Sequence, residues 1–273
     1  MIITEDGNLN FFDGEDSIIF IDDTENKYNY FSSLSMNKFT LYRNESTPYW
    51  ERTPEGECEL LRLTELNYDY PEQLKSFMGT KCPKELFYWG NLSLLKKQAV
   101  MVCGARNASK IGLDLAYKCG KLIAEQNFTL ASGYARGVDI AAHLGALEAG
   151  GDTIAILPYG LLNFRLNREM REGFDLERLL VVSELQPSCR FTIRNAFRRN
   201  KLLVALSEAV IVVEPGETGG TWFSAQYASK IGKPLYFIEG MRPNIIPKLE
   251  SMGGQRIVVN DGTPDLRKVY ERE

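Results

Sequence analysis

From Gln98 onward, apolar runs of strand length alternate with longer stretches of mixed, helical character. The runs are AVMVC (99–103), FTLAS (128–132), TIAIL (153–157), LLVVS (179–183), AVIVVE (209–214) and PLYFI (234–238). Each is apolar at successive positions rather than at every second one, which is the pattern of a strand covered on both faces. Such strands, separated by helical text, predict a doubly wound α/β domain with a mostly parallel sheet. In sheets of this kind ligands bind beyond the carboxyl ends of the strands. The segments directly after the runs therefore carry the chemical interest.

Residues 1–60 follow another pattern. Short apolar runs, SIIFI (17–21) and FTLY (39–42), are separated by Asp, Asn, Gly and Ser. They predict a small β-rich appendage of short strands and turns. Residues 61–97 are expected to be a lead-in segment packed on the core. Short helices are expected there around 71–78 and 83–88, with Pro71 and Pro83 at first-turn positions. Residues 98–273 form the expected main domain.

Charge sharpens the division. The chain of 273 residues has a formal net charge of −4. Residues 1–60 hold thirteen acids and four bases, whereas the remainder holds 23 acids and 28 bases. A mildly basic body beside an acidic head permits an anionic ligand on the body. The five cysteines include no C-x-x-C pair, which argues against a disulfide framework or a zinc site. The single histidine, His143, excludes a His-rich metal centre and leaves no histidine for a Ser-His-Asp triad elsewhere. The opening MIITEDGNLNFF lacks the basic and apolar regions of a secretion signal, and no apolar run is long enough to span a bilayer. A cytoplasmic protein without membrane contact or cofactor is expected.

Four segments stand after the predicted strands or carry unusual charge. In Gly104-Ala105-Arg106-Asn107-Ala108-Ser109, a glycine permits close approach of a ligand, and the following helix start presents free N–H groups to an anion. Ser109 is a candidate N-cap and Arg106 a candidate phosphate fork. The bland alternative is a tight turn with a surface arginine. Ser132-Gly133-Tyr134-Ala135-Arg136-Gly137 has the same logic, and His143 follows Asp139 by four residues, on one helical face. For His143 an anchoring hydrogen bond is preferred to a chemical role. Residues 190–201, RFTIRNAFRRNK, contain Arg190, Arg194, Arg198, Arg199 and Lys201 with no acid, a composition suited to a phosphate backbone. Phe191 and Phe197 are interleaved as buried anchors or stacking platforms. Finally Pro215-Gly216-Glu217-Thr218-Gly219-Gly220-Thr221 places paired glycines before a helix, again a phosphate cradle.

GARNASKIG, LASGYARGVDIAAHLGALEAGGDTIAIL, SELQP, FRRNKLLVALSEAVIVVE and TGGTWFSAQYASKIGKPLYFI follow one another in the order of the Rossmann-like domain of the DprA/Smf DNA-processing family. YPEQLKSF and PKELFYWGNLSLL resemble the lead-in of that family, so that the resemblance spans roughly 68–240. It implies a protein that binds single-stranded DNA, forms a homodimer and helps load a RecA-type recombinase in natural transformation, without breaking a bond. It assigns Gly104, Ala105 and Arg106 to the glycine-small-arginine phosphate motif. Arg136 and Gly137, after Gly133, fall in the SGxARG motif. Arg198, Arg199, Asn200 and Lys201 fill the arginine-arginine-asparagine-basic motif, where Lys201 keeps the charge of the usual arginine but loses its planar fork. With Ser109, Arg194, Gly219, Gly220 and Thr221 these make the expected DNA- and phosphate-binding set. There are departures. Thr218-Gly219-Gly220-Thr221 stands where serine-glycine-serine is usual. The winged-helix domain of many members is expected to be lacking, and residues 1–60 do not resemble the usual helical N-terminal domain.

Two other readings use the same crevice. A sensor or defence module would bind a nucleotide-derived signal there and a partner through residues 1–60. An enzyme reading rests on likeness of the TGGT loop to the PGGxGT loop of phosphoribohydrolases that release cytokinin bases. Those enzymes carry a glutamate three residues after the loop's threonine, where this chain has Ser224, so the acid that assists departure of the base is missing.

Overall fold

The computed structural model describes residues 58–171, 175–216 and 218–271, preceded by the backbone of four short strands. Those strands are β1 (Ile2–Ile3), β2 (Leu9–Asn10), β3 (Ser17–Phe20) and β4 (Lys38–Tyr42). They include the runs expected at 17–21 and 39–42, while the rest of the acidic segment up to residue 57 lies outside the described residues. The chain continues through β5 (Cys58–Thr64), α1 (Glu72–Met78), β6 (Glu85–Gly90), β7 (Ala99–Gly104), α2 (Lys110–Glu125) and β8 (Thr129–Ser132). Then come α3 (Val138–Glu148), β9 (Thr153–Ile156), β10 (Leu179–Ser183), α4 (Ile193–Leu206), β11 (Ala209–Val213), α5 (Gly220–Lys230) and β12 (Leu235–Ile238). The last elements are α6 (Ile246–Ser251), β13 (Gln255–Ile257), β14 (Val259–Asn260), β15 (Thr263–Pro264) and α7 (Arg267–Tyr270).

The main sheet has the order β13-β12-β11-β7-β8-β9-β10-β6-β5-β4-β3. From β13 to β10 every neighbouring pair is parallel. β6 and β5 then add antiparallel strands beyond β10. β14 and β15 form a separate antiparallel hairpin. This is the doubly wound, mostly parallel architecture predicted from the apolar runs. The chain winds from β7 outward to β10 on one side, then returns to place β11 on the other side of β7. The order therefore reverses between β7 and β11, and a crevice opens at the carboxyl ends of the strands there.

Side chains of β7 alternate between two cores. Val100 and Val102 pack under α2, α3 and α7, while Ala99, Met101 and Cys103 pack toward α1, α4 and α5. Val100, Val102, Val210, Ile211, Val212 and Val213 are all fully buried. Each such side chain contributes about 1.5–3 kcal/mol, so the central strands hold the frame rigid beneath the loops.

The lead-in differs in part from expectation. α1 forms at 72–78 directly after Pro71. The segment expected as a helix at 83–88 is instead strand β6, paired with both β5 and β10. Its Phe-Tyr-Trp run suits a pleated surface, and Pro83 precedes the strand rather than opening a helix. β5 runs across residue 60, and Gln73 Nε2 donates to the Leu206 carbonyl at 2.7 Å, tying α1 to α4.

Candidate functional site

The loops after β7, β8, β10 and β11 meet at the carboxyl edge of the sheet, each leading into a helix whose amino end faces the same side. The first two are interlocked through their backbones. Gly104 is closed in by the Val213 carbonyl and the Val138 side chain, so a Cβ there would overlap both. Gly137 has φ +89°, and a Cβ would meet the Ala105 and Arg106 carbonyls. The adjacent Val138 N–H donates to Ala105 O at 3.2 Å. Arg136 donates to Asn107 Oδ1, which ties the tips of the two loops together.

Arg106 and Arg136 are exposed, and the Arg106 guanidinium lies 6.0 Å from the centroid of Phe191, itself 47% exposed. Phe191 precedes α4, whose N-cap Thr192 accepts from Asn195 N–H at 3.1 Å. Arg194 and Arg198 are exposed on α4. Lys201 is half-buried, with its ammonium 5.7 Å from the Phe223 ring and 5.9 Å from the Tyr227 ring on α5. Phe197 meets Phe223 edge-on at 4.9 Å. A band of cations and aromatic rings thus runs from the first loop along α4 to α5. Arg106, Arg136, Arg194 and Lys201 have no carboxylate within salt-bridge distance among the described residues. Arg198 has one, Glu184, at 2.7 Å. Burial raises the Glu184 pKa, and the Arg198 charge opposes that shift.

The other half of the arginine-arginine-asparagine-basic motif faces inward. Arg199 is 5% exposed and Asn200 7% exposed. The Arg199 guanidinium donates to Gly133 O, to Ile156 O at 2.5 Å and to Asn200 Oδ1 at 2.9 Å. Asn200 Nδ2 in turn donates to Gly220 O at 3.0 Å. These two side chains therefore brace the second loop and the start of α5 from below. Burial lowers the Arg199 pKa, opposed by the charge of Asp139. Asp139 is likewise buried; its pKa is raised by burial, and Arg199 opposes the rise. Its Oδ2 accepts from Ala135 N–H at 3.1 Å.

His143 is fully buried, and its Nδ1 lies 2.6 Å from Thr153 Oγ1. The Thr153 hydroxyl donates onward to Leu130 O at 3.2 Å. The proton on His143 is then on Nδ1, and Nε2 is a buried atom without a partner. Burial first, and then the Arg199 charge, push its pKa down to about 3. This is the anchoring role preferred from sequence, although the anchor is Thr153 rather than Asp139.

The loop after β11 closes the crevice. Gly219 and Gly220 are exposed at the amino end of α5, while Thr221 turns its hydroxyl inward to Gly104 O at 2.9 Å. Glu217 lies outside the described residues. Ser224 Oγ is buried and donates to Gly220 O at 3.0 Å. Ser109 does cap α2, accepting from Gly112 N–H at 3.0 Å. Its own N–H and hydroxyl are taken by Glu214 Oε2, each at 2.8 Å. Glu214, Arg242, Asn107, Phe223 and Tyr227 are members of the site that the sequence reading did not single out. Glu214 had a signal: it is an acid directly following an apolar strand run, as Glu239 is after PLYFI. Among the described residues no group of His, Cys, Asp and Glu is arranged to hold a metal ion, and no helix is long and apolar enough to cross a membrane.

The model of the DNA recombination-mediator protein A family matches residues 62–263. The chain belongs to this family. It is 34% identical over 173 residues to DNA processing protein DprA of Streptococcus pneumoniae, covering 63% of this chain and 60% of that protein. It is 32% identical over 173 residues to Protein Smf of Escherichia coli, covering 63% of this chain and 46% of that protein. The match thus spans about half the length of these curated relatives. The solved structure of the Streptococcus pneumoniae protein superposes with a TM-score of 0.61 at 28% identity, covering 72% of this chain and 70% of that one. A solved DNA processing protein A from Helicobacter pylori superposes equally well, TM-score 0.61, at 24% identity over 72% of this chain and 90% of that one. The mostly parallel sheet and its flanking helices thus have the architecture of the DprA structures.

Proposed function

We propose that the chain binds single-stranded DNA along the exposed band of its crevice and acts in DNA processing and recombination. The observation that carries this reading is the set Arg106, Arg136, Arg194 and Lys201, which lie on one edge with no carboxylate within salt-bridge distance among the described residues. Cations held that way are matched by an external polyanion. Phe191 and Phe223 beside them offer faces on which unpaired bases can stack, a contact that duplex DNA does not provide. Family membership supports the same reading, as does the single-stranded DNA binding mode for which the Helicobacter pylori structure is described. By family resemblance the chain acts in the cytoplasm as a homodimer and hands the strand to a RecA-type recombinase. No bond is broken: Ser224, inward-facing, stands where the phosphoribohydrolases carry their acid.

The test is fluorescence anisotropy with a labelled oligo-dT and a labelled duplex at two salt concentrations. Wild type binds the single strand more tightly than the duplex, and affinity falls steeply with salt. In the Arg106→Ala/Lys201→Ala variant the logarithmic salt slope drops by about one unit per cation removed. A wild type that ignores the single strand at low salt, or a variant that binds as well as wild type, sinks the proposal. A shallow salt slope with tight binding of a small nucleotide selects the sensor reading instead.

A further inference from the structure

We infer that Glu214 is a specificity-determining residue: its carboxylate occupies the anion seat at the amino end of α2 and bars the phosphates of free nucleotides from the switch-point crevice. In doubly wound sheets the first strand-to-helix turn beside the order reversal is where a bound nucleotide places its phosphates, against the helix amino end. Here that turn is 104–109, between β7 and α2. Three of the donors there are already engaged: Ser109 N–H and Ser109 Oγ both donate to Glu214 Oε2 at 2.8 Å, and Gly112 N–H donates to Ser109 Oγ at 3.0 Å.

Three further observations show that this is a built arrangement. Glu214 is only 5% exposed, so the carboxylate is lodged within the protein rather than lying across its surface. The first turn of α2 makes room for it: at Gly112 a Cβ would overlap Oε2. Glu214 also holds a left-handed backbone, φ +46°, which side-chain-bearing residues seldom adopt, and which swings its side chain from the end of β11 toward α2. Arg242, itself at φ +54°, lies 3.4 Å from Oε1 and balances the charge from the opposite side. A phosphate entering the seat would have to expel a buried, hydrogen-bonded carboxylate of its own charge sign. A polynucleotide has no such need, because its phosphates meet the exposed cations further out.

The inference rests on the single-strand reading only for what the outer band holds. Wild type and Glu214→Ala, checked for folding by circular dichroism and thermal melting, are titrated with ADP by calorimetry. In ¹⁵N-labelled samples the Ser109 and Gly112 amide resonances are followed by NMR, and the same preparations are titrated with labelled oligo-dT. In wild type, low-millimolar ADP leaves the Ser109 and Gly112 amides unmoved. Glu214→Ala gains ADP affinity by about tenfold or more, with both amides shifting. Saturable movement of the Ser109 amide in wild type overturns the inference, as does a folded Glu214→Ala with unchanged ADP affinity. If Glu214→Ala does not fold, the wild-type amide titration decides alone. Loss of oligo-dT binding by wild type would break the single-strand reading and leave the nucleotide result standing.

Discussion

Arg198 and Arg199 are neighbours in sequence and belong to different parts of one crevice. Arg198 stands on the rim with 54% of its side chain exposed, whereas the whole of Arg199 is 5% exposed, on the floor. Rim residues carry charge outward, although Arg198 also reaches Glu184 at 2.7 Å. Floor residues turn the same chemical groups inward, where Arg199, Asn200 and Glu214 hold the loops at fixed positions. A cluster of basic residues is thus two populations: one exposed toward solvent, the other setting the shape in which the first is displayed.

The largest effect that tests this division is expected at Arg199. Arg199→Ala leaves the Gly133 and Ile156 carbonyls without their donor and the buried Asp139 without a nearby opposite charge, and should cost about 3–5 kcal/mol of stability. Urea denaturation measures it; a variant as stable as wild type that has lost only DNA affinity would erase the boundary between rim and floor. At Arg194 the expectation is reversed. Arg194→Ala should melt within about 0.5 kcal/mol of wild type, while the salt slope for oligo-dT falls by about one unit. Lost stability there would place Arg194 with the floor. The last effect is a pH dependence. His143 takes up its proton near 6.5 when unfolded but only near 3 when folded. Its contribution is therefore fully present above 6.5 and is lost as pH falls from 6.5 toward 3. Asp139 and Glu184, whose pKa values are raised by burial, act in the opposite direction. Melting temperature against pH should accordingly decline less steeply in His143→Gln than in wild type.

Much of this was legible in the chain. Six apolar runs marked six of the seven parallel strands, because a strand buried on both faces has no polar side to interrupt it. β13, with Gln255 and Arg256 exposed at the sheet edge, had no such run to betray it. The rim arginines were legible from the absence of acids around them. The inward turn of Arg199 was present as a pattern too. It shares a helical face with Leu202, Leu203 and Leu206, all buried, yet a run of adjacent basic residues obscures that periodicity. β6 was misplaced because Pro83 suits a helix start as well as a strand approach, and only the pairing with β5 and β10 decides between them. Glu214 could be seen as an acid at the end of an apolar run. Its left-handed backbone and its reach to Ser109 depend on an element lying 105 residues earlier.

That separation bears on the order in which the molecule is made. The hydrogen-bonded pairs that complete the crevice, Ser109 with Glu214 and Gly104 with Thr221, join segments 105 and 117 residues apart. Contacts so distant close late, because the entropy of the long intervening loop must be overcome first. A chain emerging from the ribosome displays Arg106, Arg136 and the basic face of α4 before β11 exists to dock beside β7. The cations are synthesised early, but their fixed spacing arrives only when β11 and the start of α5 are in place. Competence to grip a strand is thus a late-maturing property, coupled to the step that inserts β11 into the middle of the sheet.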